Sequence, residues 1–250
     1  MRFVLFSGTT EGRKLSALLS EAGAEVTVCV ASEYGCEAQG TIPGVETRMG
    51  PLSAEEKQQL LQNCALCVDA THPYATHVTA SVREACRIAG VRYLRLLRPA
   101  SESSGARCFV CAQDAAAWLG QQEGNILLTT GAKELDAFAG IAQERLYPRI
   151  LPSHRSLETC ERLGIPHRNI IAMQGPFSGE LNKAIIRQYH IRYLVTKDGG
   201  TPGGFPEKAE AARKTGAELI LLCRPEENGT DFETVYQRCM TLLQGGDAIE

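Results

Sequence analysis

An α/β fold of two Rossmann-like parallel-sheet domains, with the active site in the cleft between them, is predicted by three features of the sequence. Short apolar runs alternate with amphipathic stretches along the whole chain, the pattern of strands joined by crossover helices. Glycine, threonine and aspartate gather where the apolar runs end, and in open parallel sheets ligands bind beyond those ends. The alternation breaks once, at the small polar text ASESSGA after Pro99, and then restarts. The boundary is therefore placed near residue 100: an N-terminal dinucleotide-binding domain over 1–100 and a C-terminal α/β domain over 101–250.

In chain order, the apolar runs predict strands at Phe3–Phe6, Val26–Val30, Leu66–Val68 and Tyr93–Leu97, with helices at Glu11–Ala22, Ala54–Gln62 and Thr76–Ala89 between them. After the break, strands are predicted at Cys108–Val110, Ile126–Thr129, Ile170–Met173, Tyr193–Thr196 and Leu219–Cys223. An internal echo ties the halves together. AGVRYLRLLRP and TGAELILLCRP align Gly90, Leu96, Arg98 and Pro99 with Gly216, Leu222, Arg224 and Pro225. Both texts read as a helix ended by glycine and a strand closed by proline.

Composition narrows the partners. Hydrophobic residues are 44% and charged residues 22% of the 250, ordinary for a globular chain, and 26 Lys plus Arg stand against 29 Asp plus Glu. A formal charge of −3 gives no broad positive field, so neither nucleic acid nor an anionic membrane is an expected partner. The longest apolar stretches fall far short of the roughly 20 residues that cross a bilayer. MRFVLFSG is too short for a signal core, so a cytoplasmic protein is expected. Most of the ten cysteines sit in apolar strand or helix patterns and read as reduced thiols. Cys64–Cys67 and Cys108–Cys111 spell CxxC, but the odd separation of Cys108 and Cys111 on a strand sends them to opposite faces, and no protein-bound metal is expected. Oligomeric state leaves no mark in the sequence.

The strand-end loops carry the candidate chemistry. Ser7-Gly8-Thr9-Thr10-Glu11-Gly12-Arg13 follows the first strand and opens the first helix, a phosphate cradle in outline although its glycines are spaced GxxxG. At the end of the second strand, Glu33 offers a carboxylate to a ribose hydroxyl, favouring NADH. Ser32 with Arg13 or Arg48 offers a 2′-phosphate site, favouring NADPH, and the choice stays open. Asp69-Ala70-Thr71-His72-Pro73-Tyr74 concentrates a carboxylate, an imidazole and a phenol at one strand end. In the second half, Lys133 and Lys197 follow strands, Arg149, His154 and Arg155 form a basic cluster, and four glycines in the six residues Gly199–Gly204 make a flexible or backbone-exposing loop. Several anion-compatible loops suggest a large polyanionic ligand.

The ordered texts GTTEGR, DATHPYA, LLTTGAKEL, RILPS, MQGPF and TKDGGTPGGFPEKAEAA, spanning Phe3 to about Arg224, resemble the precorrin-6A reductase and cobalt-precorrin-6A reductase family of corrin biosynthesis. The resemblance implies a two-domain enzyme that uses NADPH or NADH, without flavin, to reduce one double bond in ring D of a tetrapyrrole, giving (cobalt-)precorrin-6B. It implies cofactor binding by Ser7, Gly8, Thr9, Thr10, Glu11, Gly12, Arg13, Ser32 and Thr71. Lys133, Arg149, His154, Arg155, Lys197, Gly199 and Gly200 are the expected substrate contacts, because the macrocycle carries many carboxylates. His72 or Tyr74 is the candidate proton donor, with Asp69 or Asp198 orienting or balancing charge. The cysteine content favours the anaerobic, cobalt-bearing branch. A methyltransferase of the same pathway and a non-catalytic tetrapyrrole-binding module are the competing classes; consumption of reduced nicotinamide separates both from the reductase.

Overall fold

The computed structural model describes residues 1–97, 105–200, 203–224 and 227–246. The chain divides into two units, Met1–Pro99 with Pro225–Glu250, and Ala100–Arg224. The expected assignment of everything after residue 100 to the second domain is thus corrected. Residues Phe232–Leu243 form a helix, α9, whose Val235, Cys239 and Leu242 are buried in the core of the first unit. Its polar connection to the rest of the chain gave no hint of that return.

The first unit holds β1 (Arg2–Phe6), β2 (Glu25–Val30), β3 (Val45–Met49), β4 (Leu66–Asp69) and β5 (Tyr93–Arg95), all parallel, in the order β3-β2-β1-β4-β5. Alternation of side chains along a strand explains its two cores. Phe3, Leu5, Val26 and Val28 pack with Leu15 and Leu19 of α1 (Thr10–Glu21) and with α9. Val4, Phe6 and Cys67 face the other way, onto Leu60 and Leu61 of α3 (Ala54–Leu61) and Val82 and Cys86 of α4 (Thr76–Ala89). Each fully buried side chain of this kind stabilises by roughly 1.5–3 kcal/mol. The chain steps outward from β1 to β3 and returns through α3 to the far side of β1. The strand order therefore reverses between β1 and β4, where a crevice opens.

The second unit is also a wholly parallel sheet: β6 (Arg107–Phe109), β7 (Asn125–Leu128), β8 (Leu146–Ile150), β9 (Ile171–Ala172), β10 (Ile191–Lys197) and β11 (Glu218–Leu222), in the order β6-β11-β10-β7-β8-β9. Its reversal lies between β7 and β10. Flanking helices include α5 (Ala112–Gly120), α6 (His154–Arg162), α7 (Gly179–Gln188) and α8 (Phe205–Thr215).

Two strands were not predicted, and of the helices only α1, α3 and α4 were. β3 reads VETRM, polar at most positions because it is an edge strand. β8 reads LYPRI, and its Pro148 argues against a strand on sequence grounds. The short helix α2 (Glu33–Gln39) is capped by Ser32, whose hydroxyl accepts from Gly35 N–H. Most of the ASESSGA linker, and Arg98, Pro99 and Pro225 of the internal echo, lie outside the described residues. All ten cysteines are free thiols. No helix among the described residues is long and apolar enough to cross a membrane.

Candidate active site

In the first unit the crevice is built from the turns after β1 and β4. Ser7 extends the ladder by donating its N–H to Cys29 O at 2.9 Å. Gly8 then takes φ +129°, with nothing within 4 Å of a Cβ placed there, so it presents bare, exposed backbone at the start of a helix. Thr9 caps α1. Its hydroxyl accepts from Gly12 N–H at 3.2 Å and donates to Ala70 O at 2.7 Å, tying one turn to the other. A Cβ on Gly12 would stand 2.2 Å from Ser7 Oγ and 3.0 Å from Ala70 Cβ, so only glycine lets α1 pack this close to the strand ends. Ser7 Oγ is buried there without a hydrogen-bond partner among the described residues.

Beside this turn lies a hollow of about 210 Å³, its lining including Phe6, Ser7, Val30, Leu52, Thr71 and Val78. Its largely apolar lining suits the face of an organic ring. Lys57 reaches the same hollow, held by Leu52 O at 2.8 Å and Ser81 Oγ at 2.9 Å. Burial pushes the Cys29 thiol up to about 12, so this wall residue stays neutral.

The turn after β4 is fixed from beneath. Asp69 is buried; its Oδ1 accepts from Thr71 N–H at 3.0 Å and Thr71 Oγ1 at 2.7 Å, and its Oδ2 from Tyr93 OH at 2.9 Å. Arg95, its register partner across the β4–β5 ladder, donates to Oδ1 at 3.0 Å and to Thr71 O at 2.9 Å. Glu227 closes the cluster at 2.9 Å from Arg95. Burial, then the Asp69 charge, raises the Tyr93 phenol and keeps it a donor. Above this base His72 and Tyr74 are half-buried, their rings 5.4 Å apart, and Tyr74 N–H donates weakly to His72 Nδ1 at 3.4 Å.

The second unit repeats the design. Asp198 Oδ1 accepts from Gly200 N–H at 3.0 Å, and its Oδ2 pairs with Arg224 at 3.1 Å. Thr129, after β7, donates its hydroxyl to Val195 O at 2.8 Å, while Thr130 Oγ1 is buried without a partner among the described residues. Lys197 pairs with Glu134 at 2.6 Å across the strand-order reversal. Arg149 is buried at the end of β8, donating to Asn182 Oδ1 at 2.7 Å and lying 4.0 Å over the Phe177 ring.

The precorrin-6x reductase CbiJ/CobK family model matches residues 2–240. The chain belongs to this family. It is 35% identical to a cobalt-precorrin-6A reductase of Methanothermobacter thermautotrophicus, over 97% of this chain and 82% of that one. It is 32% identical to a cobalt-precorrin-6A reductase of Priestia megaterium, over 92% and 94%. A precorrin-6A reductase of Rhodococcus erythropolis is 30% identical over 90% and 89%. The solved structure of CobK precorrin-6A reductase shares the fold, with TM-score 0.75 at 23% identity and full coverage of both chains.

Within this precorrin-6x reductase, the structure sorts the expected site residues. Ser7, Gly8, Thr9, Gly12, Asp69 and Thr71 share one crevice, with Thr10 exposed and Glu11 half-buried in the first turn of α1. Thr9 is the N-cap of α1, and Gly12 packs against Ser7 and Ala70. Arg13 donates to Gln39 O at 2.9 Å and so closes the end of α2. In the second unit, Gly199 and Gly200 are buried, Gly199 N–H is bonded to Lys197 O, and Gly203 and Phe205 N–H are both bonded to Gly200 O. Its Thr201 and Pro202 lie outside the described residues. Lys133, His154 and Arg155 are exposed, the last two on the first turn of α6, whereas Arg149 is buried. The sequence reading passed over Lys57 and His77 at the hollow, Asn182 beside Arg149, and Lys208 of α8. The EK of FPEK gave no sign that Lys208 would turn inward.

Proposed function

We propose that this chain is a cobalt-precorrin-6A reductase, which reduces a ring D double bond of the macrocycle with a nicotinamide dinucleotide to give cobalt-precorrin-6B. The observation that carries this reading is the near-full-length similarity to relatives bearing that name. The crevice of the first unit fits such a cofactor on its own evidence: an unpartnered Ser7 hydroxyl, open backbone at Gly8, a helix start and an adjacent apolar hollow.

In this reading Ser7, Gly8 and Thr10 hold pyrophosphate, Phe6, Val30 and Val78 enclose the nucleoside, and Ser32 and Glu33 flank the ribose. When bound, the reduced nicotinamide supplies hydride; no flavin enters the scheme. His72 or Tyr74 delivers the balancing proton, from a loop that Asp69 and Arg95 hold in place. Asp198 positions the glycine turn in the same manner. Arg149, with the exposed Lys133, His154 and Arg155 and with the Lys197–Glu134 pair, receives the substrate's carboxylates.

A second reading, the metal-free substrate, is favoured by the Rhodococcus relative's name. Incubating each substrate, cobalt-bearing and metal-free, with NADH and with NADPH tests both. The expected result is loss of the reduced-nicotinamide absorbance and a product two hydrogens heavier, fastest with the cobalt form. Binding of both ligands with no loss of absorbance would make the protein a sensor instead.

A further inference from the structure

Two cationic side chains in the second unit are largely buried. Lys208, in the first turn of α8, is 8% exposed, and Arg149 is 7% exposed. Among the described residues neither takes part in an ion pair, whereas Lys197 and Arg224 at neighbouring strand ends are matched by Glu134 and Asp198. The Arg149 contacts, Asn182 Oδ1 and the Phe177 face, are both uncharged. Among the described residues the Lys208 ammonium makes no hydrogen bond.

Burial brings Arg149 down to about 10. Burial, then repulsion by Arg149, brings Lys208 down to about 8, against the pull of Glu207 and Asp198. Asp198 is already engaged by Arg224 and Gly200 N–H. At the start of α8, capped by Gly204, the Glu207 carboxylate lies with its Oε2 buried and makes no hydrogen bond through that atom among the described residues, so one acid stands against the two cations. Uncompensated buried charge of one sign is costly, and an anion of the other sign relieves it.

We propose that Arg149 and Lys208 form a buried receptor for one carboxylate of the substrate, Lys208 being a binding residue for that macrocycle. The assignment rests on the reading of the chain as a reductase of a polycarboxylate tetrapyrrole. Arg149 supplies a planar fork and Lys208 a point charge, a combination suited to a small planar oxyanion. The phosphates of the dinucleotide belong to the first unit and do not compete for it.

The test uses uroporphyrin, a stable tetrapyrrole bearing carboxylates all round its rim, with its methyl ester as the uncharged control. Titration calorimetry of the full chain at pH 8.5 in buffers of differing ionisation enthalpy should show binding of the acid, no binding of the ester, and proton uptake as Lys208 becomes charged. Lys208→Met and Arg149→Met should each weaken binding by about 10- to 100-fold, and Lys208→Met should abolish proton uptake. Ligand-free Lys208→Met should melt above the wild type at pH 7, since it removes a charge and no partner. Wild-type affinity in both variants, or a loss of ADP-ribose affinity in place of uroporphyrin affinity, would overturn the proposal. Should either variant fold poorly, Lys208→Gln and the proton uptake of the wild type decide the matter. Turnover separates the two readings. A chain that binds uroporphyrin as described yet leaves reduced nicotinamide untouched keeps the receptor and loses the reductase, while an active reductase indifferent to Lys208 does the reverse.

Discussion

Both units place an aspartate where a central strand ends, turn its carboxylate onto the N–H two residues ahead, and brace it with an arginine 26 residues later: Asp69 with Thr71 and Arg95, Asp198 with Gly200 and Arg224. They differ in what surrounds that brace. In the first unit, Tyr93 and Glu227 complete the cluster, in which two carboxylates share the single Arg95. In the second, Arg149 and Lys208 remain over after Lys197 and Arg224 have found carboxylates. The same scaffold thus carries an excess carboxylate in one unit and two further cations in the other.

The largest test of this contrast is Arg95→Met. It strands Asp69 and Glu227 out of water and should cost about 3–5 kcal/mol, lowering the melting temperature by roughly 2–4 °C per kcal/mol. Arg224→Met, which strands a single carboxylate, should cost less; equal losses would erase the distinction between the two braces. Next comes chemistry. His72→Ala should lower turnover by about 100-fold with the melting temperature held, if the imidazole delivers the proton, and Tyr74→Phe probes the phenol in the same way. Steady-state turnover unmoved by both would give the proton to solvent.

Smaller effects separate packing from binding inside the first crevice. Gly12→Ala should destabilise by about 1–3 kcal/mol, because its Cβ meets Ser7 Oγ. Thr9→Val removes the α1 cap and should cost about 0.5–2 kcal/mol. By contrast, Gly8→Ala should lower dinucleotide affinity by more than its stability loss explains, measured by calorimetry beside thermal melting. Equal affinity in Gly8→Ala and the wild type would move the phosphates elsewhere.

How much of this was legible depends on whether a residue's neighbours are near in sequence. The central strands announce themselves because both faces are covered and nearly every position is apolar, as in Phe3–Phe6 and Leu219–Leu222. β3 is an edge strand and reads as polar; β8 hides behind Pro148. The Ser7–Gly12 turn and the Asp69–Tyr74 loop were visible as clusters, since their chemistry is compressed into a few residues. The partners that decide what those residues do were not. Asp69 looks like a free carboxylate until Arg95 and Glu227 are placed beside it, and Lys208 looks like a surface lysine until α8 is docked on its sheet. The echo between the halves was seen through Arg98 and Arg224, whereas the structural counterpart of Arg224 is Arg95, three residues earlier.

The return of α9 to the first unit has a consequence for biogenesis. When residues up to 99 have left the ribosome, β1 and α1 still lack Val235, Cys239 and Leu242 against them, and Arg95 still lacks Glu227. The first unit is therefore begun first and finished last, after the intervening unit has been made. A nascent chain stalled before α9 exposes an apolar seam that the completed protein covers.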